Sequence, residues 1–311
     1  MSVEIQLFWG CDPRRQFEVA WLLELLEPLR ISQFDASAGL EPKEVRRDQP
    51  RLLVESGLMR LEANPDRARL QQQHQLRQQR LAALAAAGSL VLVHLSDEEG
   101  LDGDLLYPLL PAGTRVWRNF VYSRFGRSDG VETFPIGPRH EFLGQQPHRA
   151  AADRTDPWAF MGTLWASGNR TLAVSTFLRA LPAGQFHGGR HFGVGVPLEL
   201  YRRRLLDSVF ALCPEGDRHF DTFRLYESLQ MGCLPLVVER HNQARALLGP
   251  AFPLPVFDSW AQALAFVQHQ LPNPEGLNQL QHQVQRWWSA YRQDLAASLR
   301  ASLLNTSAQS P

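Results

Sequence analysis

The sequence predicts an α/β protein built as two doubly wound parallel-sheet domains. Three observations carry the prediction. Val3–Trp9 and Ser89–Leu95 are apolar runs of strand length, each next to polar turns and helical patterns. The same alternation restarts at Trp158. A long helical stretch, Asn278–Arg300, follows the last of these units. At 311 residues the chain also exceeds the roughly 250–300 over which a single core keeps growing.

In order, Val3–Trp9 predicts the first strand, GCDPRR a turn, and Phe17–Leu29 a helix from its apolar spacing. Asp66–Ala87, rich in Gln, Arg, Leu and Ala, predicts a helix closed by Gly88. Ser89–Leu95, SLVLVHL, is a strongly apolar run, as suits a strand covered on both faces. Arg115–Phe120 predicts a shorter strand, and Pro135–Pro138 a turn. The polar, proline-bearing stretch Gly144–Pro157 predicts a linker, separating a first domain over 1–145 from a second over 158–275. In the second, Trp158–Thr163 predicts a strand, 166–170 a turn and Thr171–Leu181 a helix. Pro197–Leu205 predicts a helix, Ser208–Cys213 a strand, 214–221 a loop, Thr222–Met231 a helix and Leu234–Val238 a strand. Residues 276–311 form the terminal helix and tail.

Composition excludes several classes. The 32 basic and 32 acidic residues cancel, so no net charge points to nucleic acid or an anionic membrane surface. Cys11, Cys213 and Cys233 are too few and scattered for a disulfide framework or a closed zinc site. The start, MSVEIQLFWG, lacks a basic n-region and a long apolar core, and no apolar run reaches the roughly 20 residues of a membrane helix. The expectation is a soluble, cytoplasmic protein without a transmembrane segment.

The most informative stretch is FALCPEGDRHFDTFRLYESLQMGCLPLVVE, Phe210–Glu239. Ligands of open parallel sheets bind beyond the carboxyl ends of the strands. The loop Pro214–Asp221 leaves such an end, and Asp221 or Thr222 is placed to cap the following helix. A free helix N-terminus offers N–H groups and a positive dipole end to phosphate, and Arg224 in the first turn adds a guanidinium. Glu227, one turn further on the same face, is placed to accept hydrogen bonds from vicinal hydroxyls, as an acidic residue does on ribose. Phosphate at the helix start and ribose one turn along is the layout of a nucleoside diphosphate. A surface helix with an Arg–Glu ion pair is the plain alternative for those two residues alone.

The assembly resembles the exostosin-like glycosyltransferases, whose pattern runs S-x-F-x-L-C-P-x-G, a short polar loop, then R-x-x-E-A-x-x-x-G-C-x-P-V. Here it reads Ser208, Phe210, Leu212, Cys213, Pro214 and Gly216, then Arg224, Glu227, Gly232, Cys233 and Pro235. Ser228 stands where the family usually has Ala, and Leu236 where it has Val. The likeness covers about 30 residues directly and extends more weakly to Phe160-Met161-Gly162 and Arg170. His94–Glu98 and Trp117-Arg118-Asn119 are similar to the ribitol xylosyltransferase-like branch.

The resemblance implies a GT-B fold: two Rossmann-like domains facing a cleft, the sugar nucleotide held mainly by the C-terminal one, and a C-terminal helix returning to the first. It implies transfer of a sugar from a nucleoside-diphosphate sugar, with UDP favoured, to a hydroxyl of a glycan in polysaccharide biosynthesis. Glu227 would bind the ribose, and Arg224 and Arg170 the diphosphate, with Glu215, Gly216, Asp221 and Thr222 completing the donor site. Such enzymes are inverting and use no bound metal or further cofactor; nucleic acid is not among the expected partners. The alternatives are a nucleotide-sugar-binding partner that has lost transfer, and a metal-dependent transferase using Asp102 and Asp104.

Transfer also needs a base for the acceptor hydroxyl. Asp97 and Glu98, emerging at the end of SLVLVHLSDEE, are the candidates, with Asp12 after the first strand as another. His94 is a further candidate for the acceptor or donor side, with a satisfied core histidine as the plainer reading. Arg118 and Asn119 end a strand and are candidates for acceptor or donor contact.

Other patterns carry less. Asp102-Gly103-Asp104 spells the D-x-D that chelates a cation in GT-A transferases, but lies in the half without the nucleotide pattern. Gly193-Val194-Gly195 lacks the third glycine of a dinucleotide fingerprint, and Gly162–Arg170 lacks the lysine of a P-loop. The terminal helix with Trp287, Trp288 and Tyr291 is expected to pack on the domains rather than on a membrane.

Overall fold

The computed structural model describes residues 3–57, 67–120, 122, 130–144, 149–165, 168–189, 195–216, 219–239 and 243–306. Residues up to Ile136, with those from Arg292 onward, form one compact unit, and Gly137–Tyr291 forms the other.

The first unit alternates β1 (Glu4–Trp9), α1 (Val19–Leu26), β2 (Arg30–Asp35), β3 (Arg51–Ser56), α2 (Arg67–Ala85), β4 (Val91–Leu95), α3 (Leu101–Leu106), β5 (Arg115–Arg118) and β6 (Val131–Thr133). Its six strands are all parallel, in the order β2-β1-β3-β4-β5-β6. Parallel strands need crossover connections, and those crossovers bring helices onto the sheet. Phe8, Leu53, Leu92 and Val116 pack with Leu81 and Leu84 of α2 and Leu106 of α3. The β4 residues VLVHL are buried throughout, as the strongly apolar run predicts, with His94 its one polar member.

The second unit runs β7 (Asp156–Thr163), α4 (Asn169–Ala180), β8 (Gln185–Gly189), α5 (Leu198–Asp207), β9 (Ser208–Leu212), α6 (Phe223–Gln230), β10 (Leu234–Val238), α7 (Gln243–Leu248), β11 (Val256–Phe257) and α8 (Trp260–Gln270). Its parallel sheet has the order β11-β10-β9-β7-β8, the same winding as the first five strands of the other sheet. β9 and β10 are buried at every residue, and so is α6 from Arg224 to Gln230. α6 ends in a left-handed Gly232 (φ 62°), where the Cys233 N–H bonds the Ser228 carbonyl in a Schellman-type closure.

α9 (Pro274–Thr306) begins in the second unit and ends in the first. In the second, Gln281 accepts from the Ala151 N–H, and the Trp288 indole donates to Gln230. In the first, Ser302 accepts from the Trp117 indole (3.2 Å), and Arg292 pairs with Glu24. The aromatic cluster of Trp287, Trp288 and Tyr291 thus packs within its own unit, with Trp288 buried. Among the described residues no helix is long and apolar enough to cross a membrane.

The expected linker departs most from the reading. Its residues 145–148 lie outside the described set, but 149–157 are integral to the second unit. The buried Arg154 guanidinium donates to the carbonyls of Arg149, Leu205, Ser208 and Met231, so a polar stretch is ordered by one side chain that satisfies four backbone groups. Strands β2, β3, β6, β8 and β11 were not expected. β2, β6, β8 and β11 sit at sheet edges, where one neighbour is missing and alternation is weak; β8, QFHGG, is largely exposed. The first half of the 166–170 turn and most of Gly193-Val194-Gly195 lie outside the described residues.

Candidate functional site

In the second sheet the chain leaves β7 toward β8 and leaves β9 toward β10, so the connections diverge at the β7/β9 boundary. A crevice beyond the carboxyl ends of two such strands is where open α/β sheets hold ligands. The donor-side candidates gather here, on the loops and helices that follow β7 and β9.

Arg224 lies in the first turn of α6, 8% exposed. Its Nε and Nη2 donate to the Met161 carbonyl at 3.2 and 3.1 Å, and the guanidinium stacks 4.4 Å above the Phe160 ring. Nη1 is buried without a hydrogen-bond partner among the described residues. Thr222 occupies the N-cap position, yet its hydroxyl makes no capping bond and is also unpartnered. Of the two residues expected to cap α6, Thr222 makes no such bond, and Asp221 accepts from the Tyr226 hydroxyl at 2.5 Å. The first N–H groups of a helix have no intrahelical acceptor. The α6 start thus combines helix N–H groups, a hydroxyl and an unsatisfied guanidinium N–H, a set of donors suited to an anion.

Arg170, also buried, ties two strand ends together by donating to the Thr163 carbonyl (2.7 Å) and the Glu215 carbonyl (3.0 Å). It stacks over Trp165. Asn169 donates to the Glu215 carboxylate and accepts from the Trp260 indole. Gly216 N–H bonds the His219 carbonyl, and His219 Nδ1 accepts from the Asp221 N–H, so the loop after β9 is held by its own backbone and one buried imidazole. Residues 217 and 218 lie outside the described set.

Glu227, 2% exposed, is gripped at both oxygens. Arg139 Nε donates to Oε1 at 2.5 Å, and the Tyr201 hydroxyl donates to Oε2 at 2.6 Å. Neither partner was signalled by the sequence: Tyr201 reads only as the buried face of α5, and Arg139 follows a turn 88 residues away.

In the first unit the candidates form a packed network at the ends of β4 and β5. Asp97 is wholly buried; it accepts from the Asp102 and Gly103 N–H groups (3.1 and 3.0 Å) and pairs with Arg118 (3.1 Å). It caps α3, and three donors engage this buried carboxylate. Glu98 is half-buried and remains at the strand end. Asn119 bridges the Ser96 N–H and the Phe134 carbonyl, and Arg118 donates to the Asn119 and Asp97 carbonyls, so both organise backbone at the strand ends. Asp12 caps the 3-10 turn Pro13–Arg15 and pairs with Arg14 and Arg15 at the surface.

His94 is buried, with Nε2 2.9 Å from the Asp102 carboxylate and Nδ1 3.2 Å from the Tyr107 hydroxyl. Asp102 also pairs with Arg77, which with Arg80 binds Glu55. Burial alone would raise the Asp102 pKa, but His94 and Arg77 bring it down to about 2. Asp102 and Asp104 lie two apart on a helix and do not face each other, so the D-x-D chelate is not formed here. Among the described residues no cluster of three His, Cys, Asp or Glu side chains could hold a metal.

No family model and no curated protein matches the chain. Solved structures do. It is similar over 98% of its length to the whole of an alpha-glucosyltransferase solved with UDP and a 13-mer DNA containing a central A:G mismatch, at a TM-score of 0.61 and 8% identity. It is similar over 97% of its length to 99% of the DNA-modifying enzyme beta-glucosyltransferase, at a TM-score of 0.52 and 10% identity. The two parallel-sheet α/β units are therefore those of the GT-B glycosyltransferase fold.

Proposed function

We propose that the chain is a glycosyltransferase that moves a sugar from a nucleoside-diphosphate sugar, a UDP-sugar in preference, to a hydroxyl of a glycan acceptor, inverting and without a bound metal. The observation that carries this reading is the start of α6: Arg224 Nη1 and Thr222 Oγ1, buried and without a partner among the described residues, at a helix N-terminus on the sheet's switch point, with Glu227 one turn on. The diphosphate lies at the helix start and the ribose near Glu227, as in the exostosin-like pattern. UDP and uridine diphosphoglucose are named with the two similar structures, which supports the choice of nucleotide.

In the transfer, the acceptor oxygen attacks the anomeric carbon as its bond to the diphosphate oxygen breaks. The acceptor proton passes to a carboxylate, for which Glu98, less buried than Asp97, is the first candidate, and the nucleoside diphosphate leaves with its developing charge met by Arg224 and the helix N–H groups. Because donors on the protein can neutralise the diphosphate, no cation is required in this scheme. Both similar structures are of enzymes that modify or bind DNA, but the balanced charge of this chain lacks the basic excess that phosphate-backbone binding draws on. A second reading, a nucleotide-sugar-binding partner without transfer, is favoured by one observation: Asp97, a base candidate, is buried and engaged by three donors.

The test is calorimetry with UDP, GDP and CDP in EDTA, comparing the protein with Glu227→Ala. Binding of one nucleotide, weakened by about 1–3 kcal/mol in the variant, supports the donor site. A transfer assay with that nucleotide's sugars and glycan or duplex DNA acceptors then separates enzyme from binding partner. No nucleotide binding in EDTA refutes the metal-independent reading.

A further inference from the structure

We propose that Arg139 is a positioning residue that holds the Glu227 carboxylate in the orientation from which it reads the ribose hydroxyls, an inference that rests on α6 being the nucleotide site. Three observations converge on it. A carboxylate has about four lone-pair sites, and Arg139 and Tyr201 occupy one on each oxygen, at 2.5 and 2.6 Å. The carboxylate plane is thereby fixed, while one acceptor site on each oxygen is left for a pair of vicinal hydroxyls.

Arg139 is itself aimed. It follows Gly137-Pro138, where Gly137 has a left-handed φ of 66°, and its own backbone is extended (φ −64°, ψ 157°) at the entry to the 3-10 turn His140–Phe142. Its guanidinium stacks against Phe142 (5.6 Å) and Tyr201 (5.7 Å). The proline-glycine turn read from the sequence thus has a consequence at the site: it sets the direction of one arginine.

Of the three groups, Glu227 is 2% and Tyr201 8% exposed, whereas the Arg139 side chain is 30% exposed. Arg139 is the member open to an arriving ligand, and only its Nε is used on Glu227, so the rest of the fork remains as donors. Burial disfavours the charge on Arg139, but the neighbouring Glu227 outweighs it and holds the guanidinium protonated. Burial and the same carboxylate push the Tyr201 hydroxyl well above its ordinary pKa, so it stays a donor. Both grips persist across the physiological range.

The experiment measures binding of UDP, 2′-deoxy-UDP and inorganic pyrophosphate to the protein and to Arg139→Met, Arg139→Lys and Tyr201→Phe. The protein is expected to prefer UDP over 2′-deoxy-UDP about tenfold, the worth of one hydrogen bond to a charged group. Arg139→Met should bring that ratio to about two while pyrophosphate binding, which uses Arg224, stays within about twofold. Arg139→Lys should restore part of the ratio, and Tyr201→Phe, which keeps the packing, should lower it. A tenfold ratio retained in Arg139→Met, or tighter UDP binding without Arg139, overturns the positioning role, whatever Tyr201→Phe does. Nucleotide binding with no preference for the 2′-hydroxyl in the unaltered protein also overturns it, yet leaves the diphosphate site standing. Failure to bind either nucleotide or pyrophosphate overturns the site reading itself.

Discussion

Gly162 and Arg224 compete for one volume: a Cβ on Gly162 would lie 2.2 Å from Arg224 Nη2. Glycine at that position lets the guanidinium lie along the end of β7, bonded to the Met161 carbonyl and over Phe160. Gly162→Ala is therefore expected to displace the far end of Arg224. Nucleotide affinity should fall at least about tenfold, close to the loss in Arg224→Met, since a bond from a charged donor is worth about 1.5–3 kcal/mol. Gly162 also has a φ of 159°, a backbone conformation strained for any side chain, so the melting temperature of Gly162→Ala, unlike that of Arg224→Met, should fall by several degrees as well. Calorimetry and thermal melting on both variants check this, and wild-type affinity in Gly162→Ala would refute it.

The neighbouring carboxylates Asp97 and Glu98 should separate cleanly. Glu98→Gln is expected to lower kcat by about 10²–10⁴ with donor affinity unchanged, the usual worth of a general base. Asp97→Ala should instead destabilise the fold by about 3 kcal/mol, because it removes the α3 cap and breaks the buried pair with Arg118. Urea unfolding and steady-state kinetics on the two variants distinguish the roles. Full kcat in Glu98→Gln would remove it as the base.

Asp102 links stability to acid. Its folded pKa of about 2 lies below the ordinary 3.8, so the folded state prefers the carboxylate. Its contribution, on the order of 2 kcal/mol, is complete above about pH 4 and disappears as pH falls toward 2. Asp102→Asn should flatten that part of the urea-midpoint profile, and an unchanged acid limb in the variant would count against the pair network.

All three cysteines should be inert in the native protein. Burial pushes the Cys11 and Cys233 thiols up to about 12 and Cys213 to about 11, and the thiolate is the reactive form. Iodoacetamide at pH 7.5 is expected to modify none of them until denaturant is added, when mass spectrometry should find three labels. Rapid native labelling of Cys213 would mean that the β9 end opens.

The sequence by itself determined the α/β alternation, because buried parallel strands such as β4, β9 and β10 must be apolar at nearly every position and helices between them must repeat every 3.6 residues. It also determined that the stretch from Ser208 to Val238 is unlike a plain connection, since Arg224, Glu227 and Gly232 hold their spacing along one local strand–loop–helix segment. Edge strands such as β8 escaped it, because a half-exposed edge imposes little pattern. Only the tertiary structure decided what lies across the chain: that Arg139 and Tyr201 grip Glu227, that Gly162 makes room for Arg224, and that Asp97 caps a helix. Those outcomes depend on which loops the winding of each sheet brings together. Hydrogen bonds between residues 26 to 88 positions apart leave no periodicity to read.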